Sequence, residues 1–429
     1  MKKINISANF VFDSCRALSL ATFAMCSSSC LILAAHAADW PQQRGPNRDG
    51  KSPETGLLKE WPAEGLKPLW VTKGLGDGYS GVAVVRESIY TTGMTTHEIP
   101  QGVLYALDLS GSVQWEKQYG PAWNEMYPGT RATPTVDGDR IYLLSGTGKL
   151  LCFRRGDGEI IWSVDVVETF GAVKQPCGFA EAVLVEDDKV ICTPGGPDAG
   201  IVAIDKANGE TLWTTKGFSQ QSAYCTPIVI ERGGTRWLIT MTAKSVVAVD
   251  LESGEVAWKS PIDPEEKYQN HSVTPVYLDG MLYVTSGHGE GGQMLQISTD
   301  GRSVVQKWTD ETLSCNHGGL VLADGYVYGA NKNKKWVCLD LTTGEVMYEA
   351  EGVGSGSVSY ADGMLYCYGE NGTVGLAKTT PRGYELTGRF QVTNGEGNHW
   401  THPVIAGRRL YIRHGSALIA YDVDGSPES

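Results

Sequence analysis

Along most of this chain, apolar residues alternate with small or polar ones in short runs, and glycine-containing turns separate the runs. A period of two predicts strands rather than helices. The runs recur as a unit. Thr133 to Tyr142 reads Thr-Pro-Thr-Val-Asp-Gly-Asp-Arg-Ile-Tyr, and Thr274 to Tyr283 reads Thr-Pro-Val-Tyr-Leu-Asp-Gly-Met-Leu-Tyr. Val202 to Trp213 and Val246 to Trp258 each pass from a run ending in Asp, through a Gly-Glu turn, to a run ending in Trp. One unit is therefore four strands. The first follows Thr-Pro or its equivalent, an Asp-Gly-type turn leads to a second ending near Tyr, a third ends in Ala-x-Asp, and a fourth closes on Trp. Asp-Gly, Asn208-Gly209 and Ser253-Gly254 supply the positive φ that tight hairpins need. The Trp is large enough to fill the gap to the next unit.

The second run recurs around Tyr90, Tyr142, Ile191, Leu238, Tyr283, Tyr328, Tyr366 and Tyr411, and the closing aromatic at Trp70, Trp115, Trp162, Trp213, Trp258, Trp308, Tyr348 and Phe390. Both series have eight members, but they are out of phase. Trp70 precedes the first unit, and nothing closes the last unit after Tyr421. An open stack would leave a bare edge at each end. A ring removes both edges if Lys67–Val71 completes the last sheet. The expectation is an all-β chain: an eight-bladed β-propeller of four-stranded antiparallel blades, closed by an N-terminal strand completing the last blade. The spacing of roughly 40–50 residues is unbroken by any linker, which disfavours an open solenoid or two domains.

The Ala-x-Asp-x-x-x-Gly-Glu-x-x-Trp units resemble the tryptophan-docking repeats of the pyrroloquinoline-quinone (PQQ)-like propeller family. The resemblance covers residues 67–423 and extends to BamB-like outer-membrane assembly factors and polyvinyl-alcohol-dehydrogenase-like proteins. Asp39-Trp-Pro-x-x-Arg-Gly-Pro-x-x-x-Gly50 is similar to the lead-in of secreted bacterial propellers of this type. Residues 38–66 are then an N-terminal arm laid against the propeller, and 424–429 a C-terminal tail. The resemblance implies either a binding or assembly scaffold, or a quinoprotein dehydrogenase using PQQ and Ca²⁺. The latter group, going by the family, carries adjacent cysteines, a Ca²⁺-binding carboxylate and amide set, and an Asp base. No Cys-Cys pair occurs here.

Composition adds context. Fifty-three of 429 residues are glycine, well above the usual ~7% and in keeping with many turns. The net charge of −13 argues against nucleic acid as a partner. Residues 1–37 read as a signal peptide: Lys2, Lys3 and Arg16, an apolar Ala17–Ala35 stretch, then Ala35-His36-Ala37, with cleavage between Ala37 and Ala38. The expected location is secreted or periplasmic, with no later span long enough to cross a bilayer. Cysteines 152, 177, 192, 225, 315, 338 and 367 remain, none in C-x-x-C spacing, so zinc-ribbon and haem-attachment readings fall away.

Loops leading into the inner strands of a propeller surround the channel mouth, where sites usually lie. Aligning the units on the second-run Tyr brings Tyr79, Arg131, Ala180, Tyr224, Ser272, His317, Ser355 and Trp400 to one level. The preceding position reads Gly78, Thr130, Phe179, Ala223, His271, Asn316, Gly354 and His399, with His402 close by. The candidate ligand site is therefore Arg131, Tyr224, His271, Asn316, His317, His399, Trp400 and His402. Donors and aromatic faces of this kind suit an anionic or planar ligand. With ordinary imidazole pKa values, anion binding would strengthen below about pH 6.5. The alternative is that the same residues plug the channel and bond strand ends.

Other motifs carry less. Asp422-x-Asp-Gly lacks the remaining oxygen ligands of a Ca²⁺ loop. Gly287-His-Gly-Glu-Gly-Gly292 joins two strands and has no helix to hold phosphate, with His288 placed near the rim. Gly354-Ser-Gly-Ser lacks the nucleophile-elbow pattern. Cys177, Cys225 and Cys315 fall in the mouth layer, as buried thiols or with a Cys177–Cys225 disulfide. The reading favours a non-catalytic binding or assembly scaffold with no catalytic or metal-ligating residues assigned. Its partner would be a cell-envelope protein or a small polar or anionic ligand. The second reading is a periplasmic quinoprotein-like oxidoreductase acting on alcohols or sugars.

Overall fold

The computed structural model describes residues 38–262, 270–287 and 291–426. The expected signal peptide, His288 and the last three residues of the tail lie outside the described residues.

Eight antiparallel sheets follow one another along the chain. The second blade is representative: Thr135–Asp137, Arg140–Leu144, Lys149–Arg154 and Ile160–Asp165 pair in that order. The two middle strands are buried on both faces because neighbouring blades cover them. Runs such as Leu150–Phe153 are accordingly apolar throughout. Outer strands face water on one side and alternate, as in Val113–Pro121. Among the described residues the helical content is Val166–Phe170, capped by Asp165 Oδ1, which accepts from the Val167 and Glu168 amides. The repeat pattern gave no sign of it.

The turn chemistry is that expected from the repeat. Asp279-Gly280, Asp324-Gly325 and Asp362-Gly363 have positive φ at both residues, the requirement of a tight hairpin that twists with its strands. Asp250 Oδ1 accepts from the amides of Glu252 (3.0 Å) and Ser253 (2.9 Å), and Asp340 Oδ1 does the same with Thr342 (2.8 Å) and Thr343 (2.9 Å).

The closing aromatics dock between blades. Trp162 Nε1 donates to Lys206 O at 3.2 Å, Trp213 to Leu251 O at 3.2 Å and Trp258 to Gly301 O at 3.0 Å, each acceptor on the following blade. Each of the first two indoles lies over the glycine of that blade's outer turn, Gly209 and Gly254. The ring closes at Pro68–Thr72, which pairs antiparallel with Ala417–Asp422, Trp70 opposite Ala420. The seventh blade ends in the smaller Phe390. There the arm supplies Trp61, whose ring lies 5.3 Å from Phe390 and 6.2 Å from Tyr366.

The first part of the arm enters the channel. Trp40 bridges Val84 on the first blade, and Pro41 O accepts from Val136 on the second. Arg48 reaches Ala182 O (3.1 Å) and Val183 O on the third. Arg44 Nη2 donates to Leu320 O, Lys51 Nζ to Leu322 O at 3.1 Å, and Gly50 O accepts from Tyr360. Lys51–Ser52 then adds a parallel strand to Gly356–Ala361 of the seventh blade. A segment bonded to inner strands on opposite sides of the ring crosses it. The arm thereby runs across the ring between the inner strands of the third, sixth and seventh blades.

Candidate functional site

Above the arm lies a cavity of about 320 Å³, at the small end of the range for small-molecule sites. Repeat positions build its sides. Thr133, Thr226 and Thr274, the threonines of the Thr-Pro pairs, line it together with Tyr79, Arg131, Tyr224, Ser272, Asn316, His317 and Trp400. Proline after each threonine holds the chain extended as it turns into the inner strand. In the second, fourth and fifth blades a side chain is thereby carried to the cavity.

Six of the eight candidates line the cavity: Arg131, Tyr224, Asn316, His317, Trp400 and His402. Two do not. His271 is fully buried, Nδ1 bonded to Ser286 Oγ at 2.9 Å and Nε2 to Ala243 O at 3.2 Å. His399 stacks on His414 with ring centroids 3.7 Å apart and meets the Tyr368 hydroxyl at 2.6 Å. Both share their repeat position with Asn316, which does line the cavity, so local packing and not repeat position decides which side chain reaches the axis. His271 and His399 are thus engaged with neighbouring strand ends and side chains away from the cavity.

Trp400 organises the upper wall. Its ring lies 5.0 Å from Tyr79, 4.9 Å from Tyr127 and 5.2 Å from His317. Arg131 sits 5.6 Å over the Tyr79 ring and ties down the loop above it, Nη1 donating to Gly129 O (3.1 Å) and Nη2 to Met126 O (2.9 Å) and Tyr127 O. Burial lowers its pKa from the free value, yet it stays a cation at any working pH. Cys177 is half-buried at the wall, its amide donating to Tyr224 Oη at 3.2 Å, and both Cys177 and Cys225 are free thiols.

The floor comes from the arm and was missed in the sequence reading. Gln43 accepts from Thr133 Oγ1 at 2.6 Å, and Arg44 lies beside His402. Arg44 is 2% exposed, and burial brings its guanidinium down to about 10. His402 Nε2 donates to His317 O at 3.1 Å. Burial draws His402 down to about 3 and His317 to about 4. The imidazoles are therefore neutral across pH 5–8. The expected strengthening of anion binding below pH 6.5 is corrected: positive charge in the cavity belongs to the two arginines. Arg-Gly-Pro in the lead-in was the available signal, but nothing in the repeat spacing points it at the channel.

Among the described lining residues there is no Asp or Glu, although the chain as a whole carries −13. Glu370 stands behind His317, 3.4 Å from its Nε2, and lines a smaller neighbouring cavity of about 100 Å³. No group of three or more His, Cys, Asp or Glu suited to a metal occurs among the described residues. Arg44, Arg131 and the aromatic faces suit a flat polyanion. The oxygen anions that would hold Ca²⁺ beside PQQ are missing from the described lining, so the residues present do not fit the PQQ–Ca²⁺ pair. Asp424 of the Asp422-x-Asp-Gly motif is bonded to Arg408 at 2.6 Å and to the Ser426 amide at 2.9 Å, a turn and not a cation loop. No described helix is long and apolar enough to cross a membrane.

Among solved structures of similar fold are BamB from Moraxella catarrhalis, 16% identical over 85% of this chain and 99% of that one at a TM-score of 0.62. The quinohemoprotein alcohol dehydrogenase of Comamonas testosteroni is 13% identical over 92% and 82%, with a TM-score of 0.67. The quinohemoprotein alcohol dehydrogenase ADHIIG of Pseudomonas putida HK5 is 14% identical over 91% and 81%, also at 0.67. These identities establish a shared fold. Comparison with curated protein sequences gives no match. A family model described as outer membrane protein assembly factor BamB matches residues 100–350, more than half of the chain. With its eight blades, six of them closed by a docking tryptophan, the chain belongs to this PQQ-like β-propeller family.

Proposed function

We propose that this chain is a non-catalytic scaffold of the cell envelope, secreted or periplasmic, that recognises a small organic anion in the cavity at its channel mouth. The observation that carries the reading is the cavity's chemistry. Two guanidiniums, amide and hydroxyl groups, and the Trp400–Tyr79–Tyr127 aromatic wall face a volume whose described lining holds no carboxylate. This is a recognition set: cations and donors for an anion, aromatic faces for its body. The scaffold role is supported by the relative named as an assembly factor and is carried to this chain as a proposal, as is an envelope protein as partner.

Calorimetric titration of purified protein with a panel of small carboxylates, phosphates and sulfonates tests the ligand reading, run beside neutral analogues. Saturable binding of an anion that weakens in Arg131→Gln supports it. The competing oxidoreductase reading gains if PQQ with Ca²⁺ binds and gives substrate-dependent dye reduction.

A further inference from the structure

The floor of the cavity narrows the ligand class, on the assumption that the mouth is an anion site. The Arg44 side chain has one described hydrogen bond, from Nη2 to Leu320 O. Its Nε and Nη1 are buried with no partner. The carboxylate that acts on it, Asp49, lies 3.4 Å from Lys51 Nζ and accepts from the Lys51 amide at 3.1 Å. A buried guanidinium with idle donors is costly, and an anion supplied from outside removes that cost. Arg48, four residues on, is the contrast. Its guanidinium is satisfied by Ala182 O, Val183 O and Gln42 Oε1.

His402 stands next to Arg44. A Cβ on Gly319 would run into both Arg44 Nη1 and His402 Cε1. His402 Nε2 donates to a carbonyl, so the ring proton is on Nε2. Nδ1 is then a bare acceptor, and it too is buried without a partner. The floor thus presents idle donors beside an idle acceptor. A simple carboxylate answers the first and leaves the second unmet. A carboxylate with a hydroxyl close to it answers both. The Trp400 and Tyr79 rings above suit the C–H face of a sugar-sized ring. At about 320 Å³ the cavity has room for a single sugar-sized unit.

We infer that the cavity binds a sugar acid, a carboxylate on a hydroxylated ring, with the carboxylate on Arg44 and a neighbouring hydroxyl donating to His402 Nδ1. The probes are D-glucuronate, cyclohexanecarboxylate (ring and carboxylate, no hydroxyl) and D-glucose (ring hydroxyls, no carboxylate), titrated calorimetrically into the full chain. Glucuronate is expected to bind at least tenfold more tightly than either analogue, since a site with buried polar groups rejects ligands that leave them unpaired. Arg44→Lys keeps the charge but loses the fork, and should weaken glucuronate about tenfold. His402→Phe should abolish the preference for glucuronate over cyclohexanecarboxylate. Equal binding of these two acids to wild type would overturn the sugar-acid assignment and leave the anion reading standing. Failure of every anion in the wider panel would overturn both. The analogue comparison needs no variant, so it holds even if Arg44→Lys does not fold.

Discussion

Gly254 offers a direct measure of how the blades are held together. It stands in the outer turn of the fourth blade at φ +75, and a Cβ added there would lie 2.7 Å from Cε3 and 2.8 Å from Cδ2 of Trp213 on the third blade. Two costs separate. Left-handed backbone costs an alanine about 1–2 kcal/mol. The contact forces the indole or the turn to move, which by analogy with overpacked cores costs about 1–3 kcal/mol more. Gly325, at φ +83 in the sixth blade, has nothing within 4 Å of such a Cβ, so Gly325→Ala carries the backbone cost alone. At ~2.1 cal/mol/K of unfolding entropy per residue, a chain of this length loses about 1 °C of Tm per kcal/mol. Scanning calorimetry at one fixed rate should therefore show a loss of about 1–2 °C for Gly325→Ala and about 2–5 °C for Gly254→Ala. Adding Trp213→Ala removes the ring that the new methyl meets, so the double variant should cost less than the sum of the singles, by about the contact term. Equal losses for the two glycine variants, or strict additivity in the cycle, would refute docking of Trp213 on this turn.

Trp258→Ala, which deletes a buried indole bonded to the next blade, should cost about 3–5 kcal/mol; an unchanged denaturant midpoint would contradict the seam. Removing residues 38–72 takes away the strand paired with Ala417–Asp422 and should produce an aggregating species, which light scattering would register against the intact chain. His317 and His402 are held near pKa 4 and 3 against ~6.5 when unfolded. The unfolded chain therefore takes up protons first, and stability present above about pH 6.5 should fall as pH drops toward 4, less steeply in His402→Gln. Anion affinity, by contrast, should stay flat from pH 8 to pH 5. Burial pushes Glu181 up to about 7 in spite of its bonds from Thr193. The native state keeps a proton the unfolded state has lost, so stability should fall as pH rises from about 4.5 to 7. Glu181→Gln should remove that slope in urea titrations; an identical slope in both proteins would show that Glu181 is not its source.

The architecture was legible in the residues alone. Each Thr-Pro, Asp-Gly and Gly-Glu-x-x-Trp signal acts within a few residues, through a fixed φ, a turn bond or a side chain long enough to reach one neighbour. Eight copies of local information therefore specify eight blades, and the offset between Tyr and Trp series specifies a ring. The levels of Arg131, Tyr224, Asn316, His317 and Trp400 were legible for the same reason, since equivalent repeat positions converge on the axis. His271 and His399 share their repeat position with Asn316, yet they turn to Ser286, Ala243 and His414 while Asn316 lines the cavity; that choice is settled by local packing, which the repeat does not encode. Trp61 filling the seam that Phe390 leaves open, and Arg44 forming the cavity floor, depend on where the arm runs. No repeat encodes that path. It is fixed by bonds from residues 40–52 to strands up to about 300 positions away, bonds that exist only once the ring has closed around them.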